Sequence, residues 1–274
     1  MRVSFNLTFS CCTINICFEC FEDQYVEFFT RIYAPYLKDQ SIQTQHLYNA
    51  LLKKSENQFT VLYNDSSNSI YGIEDLYNII HFIVCNSICL SCNEQNLLVL
   101  HASSFIFNNK LVLLSGIKSS GKTTALLYFL MNGAAYTGDE IVIVSPNGIV
   151  PYQLPLRAKF NTIEYLRKQF HYEFKFFSLP SGINGKKQYL SQNNNYQTKK
   201  IDNWSRCSDI VFLNEGRIKY DLKSLTDFDA INSLLRCVRN KASISLALPL
   251  IKGANLYSTN FSVPFEVLKD MLCE

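Results

Sequence analysis

Eight consecutive residues, Gly116-Ile117-Lys118-Ser119-Ser120-Gly121-Lys122-Thr123, carry the first piece of chemistry in this chain. Their spacing is that of the phosphate-binding loop G-x-x-x-x-G-K-[S/T]. Gly116 and Gly121 let the backbone curl, so that successive N–H groups point at one anion. A helix starting near Lys122 adds the positive end of its dipole. The Lys122 ammonium reaches the β/γ-phosphates and the Thr123 hydroxyl can hold Mg²⁺, with Thr124 beside them. Lys118 puts an extra positive charge inside the loop, which solvation alone would also explain. Asp139 and Glu140 follow Lys122 by 17 and 18 residues. Two adjacent acids there read either as an acidic turn or as a functional pair. As a pair they would bind metal and abstract a proton, since Mg²⁺ takes carboxylates plus phosphate oxygens and a hydroxyl needs a base within hydrogen-bond reach. His101 precedes Gly116 by 15 residues and is either structural or catalytic.

The elements that must position these side chains are legible around them. The apolar run 111–115 (LVLLS) reads as a buried strand entering the loop. Residues 124–131 place Ala125, Leu126, Phe129 and Leu130 on one helical face, and Gly133 can end that helix. The run 97–100 reads as a strand. Paired with 111–115 through a turn at Asn108-Asn109, it would leave His101 near the loop. Residues 141–144 (IVIV) read as a central strand following the acid pair.

Further out, 3–20 reads as a hairpin and 57–63 as a strand closed by the turn 64–68. Helices are expected over 22–37, with Tyr25, Phe28, Phe29, Ile32 and Tyr33 at helical spacing, and over 71–90. Two prolines bracket a short extended piece before Arg157, a residue either solvated or contacting a phosphate or an acidic partner. The polar, Asn-rich stretch 181–198 reads as a mobile loop, serving either as a lid that captures a substrate or as a variable surface insertion. Residues 207–213 read as a strand and 214–217 as a turn. Thr226 is the expected N-cap of a helix over 227–236 with Ile231, Leu234 and Leu235 inward. A last helix, 264–272, would carry Val267, Leu268 and Met271 on one side.

Composition bounds the rest. With 274 residues, 47% of them hydrophobic, the chain can bury a sizeable core. The expected division is a small N-terminal α/β module, 1–95, and a larger domain, 96–274. A net charge of +3 without a long basic run gives no support to nucleic-acid binding. No apolar stretch approaches the ~18 residues that span a bilayer, so no membrane partner is expected. The N-terminus is apolar but interrupted by Asn and Thr, and reads as starting strands rather than a signal peptide. Ten cysteines without a secreted disulfide pattern suit reduced thiols in a cytoplasm, most of them small core hydrophobes. Two clusters, Cys17/Cys20 and Cys85/Cys89/Cys92, have zinc-like or iron–sulfur-like spacing; packing in a core helix is the simpler reading of the second.

Taken together, His101, the loop 116–123, Gly133 and the pair Asp139-Glu140 resemble the core of HPr kinase/phosphorylase. The four spacings of that family are met without a gap. The LHAS form of the histidine segment, SDIVFLNEGR and the later LTDFDAINSLLR are more similar to shorter HPr-kinase-like proteins. Some of those accompany ribosomal-peptide modification genes, the lasso-peptide kinases among them. The similarity covers 96–274. It implies an α/β fold with a mixed sheet, related to phosphoenolpyruvate carboxykinase, and transfer of the γ-phosphoryl group of ATP to a serine hydroxyl with Mg²⁺.

In that scheme Lys122 and the loop amides stabilise the phosphates, and Thr123 and Asp139 hold the metal. Glu140 takes the serine proton with support from His101. The pair is Asp-Glu where the family has Asp-Asp, so base and metal roles are open between the two. The long substrate and assembly motif of true HPr kinases is not recognisable, which argues against HPr as the acceptor. The expected function is thus an ATP-dependent kinase for a seryl or threonyl hydroxyl on a peptide or small protein, with a homo-oligomer open. A small-molecule kinase on the same fold and a nucleotide-binding adaptor are the alternatives.

Overall fold

The computed structural model describes residues 2–38, 46–64, 69–177, 187–191, 195–201, 203–214, 223–260 and 265–273. It is a mixed α/β protein with parallel and antiparallel strand pairs. Two compact units divide it: Met1–Ser91 with Phe177–Lys186, and Cys92–Phe176 with Lys187–Glu274. The division falls at 91/92 rather than 95/96, and the first unit takes in 177–186 as well.

The first unit contains β1 (Arg2–Thr8), β2 (Thr13–Glu19), α1 (Asp23–Ile32), β3 (Leu37–Lys38), β4 (Leu47–Ser55), β5 (Gln58–Tyr63), β6 (Ser69–Gly72) and most of α2 (Leu76–Glu94). The expected N-terminal hairpin is β1–β2, and α1 buries Tyr25, Phe28, Phe29 and Ile32 as its spacing predicts. Phe29 packs on Phe18 of β2 with ring centroids 5.0 Å apart. The strands run β3-β1-β2-β4-β5-β6, with β2 and β4 parallel. Of the expected turn 64–68, only Asn64 lies among the described residues. The segment Ile73–Glu94 is long and apolar enough to cross a membrane by length and composition, contrary to the sequence expectation. However, 61% of its apolar window is buried inside the fold, so its apolar face is consumed as core.

The second unit carries the loop. In chain order its elements are β7 (Leu98–Leu100), β8 (Ala102–Phe107), β9 (Lys110–Ser115), α3 (Lys122–Met131), β10 (Ala135–Gly138), β11 (Val142–Ser145) and β12 (Gly148–Pro151). There follow β13 (Arg157–Lys159), α4 (Phe160–Phe170), β14 (Lys187–Tyr189), β15 (Gln197–Thr198), β16 (Asp209–Asn214), β17 (Lys223–Ser224), α5 (Asp227–Leu235), α6 (Leu248–Gly253), β18 (Asn255–Asn260) and α7 (Phe265–Cys273).

A seven-stranded sheet runs β15-β10-β8-β9-β16-β18-β17. At its centre β9 pairs antiparallel with β8 and parallel with β16. The β8–β9 turn is Asn108-Asn109, both at positive φ (48° and 60°), a conformation in which Asn is tolerated and which suits a two-residue hairpin. The hairpin partner of β9 is therefore β8 and not the run 97–100. That run is β7, which pairs with β11 in a separate sheet ordered β12-β11-β7. The chain changes sheets at His101.

Alternation along β9 and β16 explains the layers. Val112, Leu114, Val211 and Leu213 face one core with Ala125, Leu126 and Phe129 of α3 and Phe265, Leu268 and Leu272 of α7. Leu111, Leu113, Ile210 and Phe212 face another, with Val142 and Val144 of β11 and Ala230 and Leu234 of α5. Side chains of this size contribute about 1.5–3 kcal/mol each on full burial, which fixes the register of β9. Helix α3 is buried on nearly every side, Thr124, Leu127 and Tyr128 included. One inward assignment is corrected: Leu235 is 49% exposed, and Ala230 is buried instead; along α7, Phe265, Leu268 and Leu272 are buried while Val267 is exposed. Within 181–198, residues 181–186 and 192–194 lie outside the described residues. The remainder includes β14 and β15 with Leu190 and Tyr196 buried, so that part is packed structure and not a mobile loop. The 214–217 turn also lies outside the described residues beyond Asn214.

Candidate functional site

Register brings the candidate residues to one end of the large sheet. Ser115, the last residue of β9, pairs with Ala102 at the start of β8. Gly138, the last residue of β10, pairs with Ser104. Because β10 and β9 point the same way, the loop 116–121 and the acids 139–140 leave the sheet at the same edge, and His101 adjoins them.

The loop is built for close approach. A Cβ on Gly116 would lie 2.5 Å from the Leu213 carbonyl oxygen and 2.5 Å from Ser120 Oγ, so only glycine fits. Ser119 and Gly121 adopt φ of 70° and 92°, curling the chain into α3. No side chain caps α3, so its first-turn N–H groups remain for a ligand or water. The Lys122 ammonium is folded back, donating to the carbonyls of Gly116 (2.6 Å) and Ile117 (2.9 Å). Burial pushes its pKa down, an effect opposed by the charges of Asp139 and Glu140. The hydroxyls of Ser115 and Ser120 are buried without a hydrogen-bond partner among the described residues. Thr123 is half-buried in the first turn of α3, Thr124 is buried, and Lys118 and Ser119 are exposed.

Asp139 is buried, and its Oδ1 accepts from Ser103 Oγ (2.6 Å) and from the Glu140 N–H (2.9 Å). Burial first, and the neighbouring Glu140 charge second, raise its carboxyl pKa above the ordinary range. Glu140 sits at φ 73°, an uncommon conformation for a residue with a side chain. Its Oε2 lies 3.1 Å from His101 Nε2 and 2.8 Å from Arg239 Nη2. Both partners are held from behind. The His101 N–H donates to the Cys237 carbonyl (2.7 Å), and the Arg239 N–H to the Val99 carbonyl (2.9 Å). The Asn240 side chain clips the same segment to the β7 strand region, accepting from the Val99 N–H (3.0 Å) and donating to the Leu97 carbonyl (2.6 Å). Arg239 is not visible from the sequence: it stands 99 residues after Glu140, in no recognisable spacing. Its field also reaches Lys122.

The loop residues, the acid pair and His101 thus fall in one neighbourhood. Arg157 is buried in β13 opposite Tyr189 and not solvated. Among the described residues no three His, Cys, Asp or Glu side chains converge as a metal cluster. Cys85, Cys89 and Cys92 lie along α2, and Cys17 is bonded by Arg2 Nε (3.2 Å). All ten cysteines are free thiols.

No family model matches this chain, and no curated protein matches it. The donor set suits an anion held by backbone amides. A small divalent cation would take one carboxylate, the Thr123 hydroxyl and oxygens of that anion, as Mg²⁺ does with nucleotides.

Proposed function

We propose that this protein is an ATP- and Mg²⁺-dependent kinase that transfers the γ-phosphoryl group to a serine or threonine hydroxyl of a peptide or small protein. The core would be a phosphate-loop kinase core of the HPr kinase and phosphoenolpyruvate carboxykinase type, working in the cytoplasm. One observation carries the reading: the carboxylate of Glu140 is gripped by His101 and Arg239 at the sheet edge where a glycine-gated loop, an inward lysine and an orphaned serine hydroxyl also lie.

Each residue has a role it is chemically suited to. The loop amides and the uncapped start of α3 receive phosphate oxygens, and Ser120 Oγ gains a partner it lacks. Lys122 exchanges its bonds to the Gly116 and Ile117 carbonyls for phosphate oxygens. Thr123 and Asp139 would hold the Mg²⁺, which neutralises charge on the transferring group. Glu140 accepts the proton of the attacking hydroxyl, and His101 and Arg239 keep its carboxylate aimed. Most of the acceleration would come from positioning and charge stabilisation rather than from covalent chemistry.

The test is incubation with labelled ATP and candidate peptides, read by mass spectrometry for a phosphoryl adduct. Glu140→Gln should abolish the adduct and spare nucleotide binding. A small-molecule kinase would phosphorylate no peptide while still turning over ATP with a low-molecular-weight alcohol. A nucleotide-binding adaptor would keep its partner affinity in the Gln variant and show no turnover in the wild type.

A further inference from the structure

A second feature adjoins the loop on its β16 side. A cleft of about 920 Å³ opens beside Gly116 and Ile117 and continues past Leu213 to the exposed side of α5. There Asp229, Asn232, Ser233 and Arg236 line it at positions i, i+3, i+4 and i+7, one polar stripe of the helix. Phe212, Leu225 and Leu235 give it apolar walls. Strand order fixes the side. Asp139 and Glu140 leave β10, two strands from β9 in one direction, whereas the cleft follows β16 and β18 in the other.

Resting on the kinase reading above, we propose that this cleft takes the nucleoside half of the nucleotide, a ribonucleoside whose sugar hydroxyls donate to Asp229. Phosphoryl transfer runs roughly in line, with attacking and leaving oxygens on opposite sides of the transferred group. A base on the β10 side puts the acceptor there and sends the departing diphosphate and its nucleoside towards β16. The chemistry of the lining agrees. Among the described residues Asp229 is the one carboxylate lining the cleft, and a carboxylate accepts from ribose hydroxyls in dinucleotide-binding folds. Its Oδ2 accepts from Thr226 Oγ1 (2.7 Å), and its N–H donates to the same hydroxyl, which fixes the side chain at the helix start. Arg236 makes no ion pair with a described residue and lines the same cleft, where its guanidinium could meet an α-phosphate. The volume is ample for a nucleoside, whose sites occupy ~300–1,000 Å³.

The experiment is calorimetric titration of the full chain with Mg²⁺ present, using ADP, 2′-deoxy-ADP and tripolyphosphate. Wild type should bind ADP more tightly than 2′-deoxy-ADP. Ser233→Trp, which fills the cleft, should weaken ADP about tenfold or more and leave tripolyphosphate within about twofold. Asp229→Asn, which keeps the side chain's shape, should erase the preference for ADP over its deoxy form. Unchanged ADP affinity in both variants would overturn the assignment, as would a Trp variant that loses only peptide acceptor binding. Failure of wild type to bind tripolyphosphate would instead remove the phosphate-loop reading, and this proposal with it.

Discussion

Glu140 is a residue whose backbone works against its side chain, and that conflict yields a measurable prediction. A non-glycine residue in the left-handed region costs about 1–2 kcal/mol, and glycine there costs almost nothing. Glu140→Gly therefore recovers about 1–2 kcal/mol of strain at φ 73°. Against that stand two losses. Glycine's larger unfolded-state freedom removes about 0.5–1 kcal/mol. The part-exposed contacts to His101 and Arg239, with Glu140 21% exposed, contribute about 1 kcal/mol or less after solvent screening. The net change in stability is within about 1 kcal/mol of zero, a shift of roughly 2–4 °C or less in melting midpoint for a unit of this size. Turnover responds quite differently: loss of a general base costs about 10²–10⁴-fold in kcat. Differential scanning calorimetry paired with a phosphoryl-transfer assay, on Glu140→Gly and Glu140→Gln together, separates the two readouts. A glycine variant that keeps wild-type turnover would refute the reasoning. A fall in midpoint of more than about 8 °C would show that Glu140 is retained for stability.

Other perturbations draw on the same geometry. Gly116→Ala forces a methyl to 2.5 Å from the Leu213 carbonyl, a backbone atom that cannot swing aside. It should cost about 1–3 kcal/mol by thermal melting and abolish polyphosphate binding by calorimetry. Arg239→Met should lower kcat about 10–100-fold with nucleotide affinity little changed, because it loosens the base rather than the cradle; steady-state kinetics and Arg239→Lys as partial rescue check this. The pH dependence has a definite sign. Asp139 has a raised folded-state pKa, so its charge penalises the nucleotide-free fold fully above that value, and the penalty fades as pH falls towards the unfolded value near 3.8. Asp139→Asn should hence raise the melting midpoint at neutral pH and raise it progressively less on acidification. Lys122 acts at the other end: its folded pKa lies below 10.5, so stability should climb with pH between the two values, and Lys122→Met should flatten that rise.

The local part of the site can be read from residue order because its causes are local. A strand, a glycine-framed loop and a helix start are each specified within a few residues, and β9, the loop and α3 stand where the residue order puts them. Partners are harder. The run Leu98–Leu100 is apolar at every position, as a doubly covered strand must be, and such a run does not say which neighbour it joins. It joins β11, and the hairpin belongs to β8. Strand β18 reads NLYSTN, a mostly polar string, yet it lies parallel beside β16 because tertiary pairing overrides propensity. Helical spacing alone turns Leu235 inward, but the buried face of α5 carries Ala230 and Leu234 instead. Arg239 leaves no trace in the sequence because its role arises only when a segment far along the chain lies down on the β7 region.

That lying-down has a consequence in time. The contacts that present Arg239 and brace His101 link residues 97–101 to 237–240, across more than 130 positions. A chain emerging from a ribosome presents the loop 116–121 well before residues 237–240, so these contacts close only after most of the chain has appeared. On the proposed reading, a nascent chain would carry the loop before it owns the segment that braces His101 and Glu140, and phosphoryl transfer would wait for that segment.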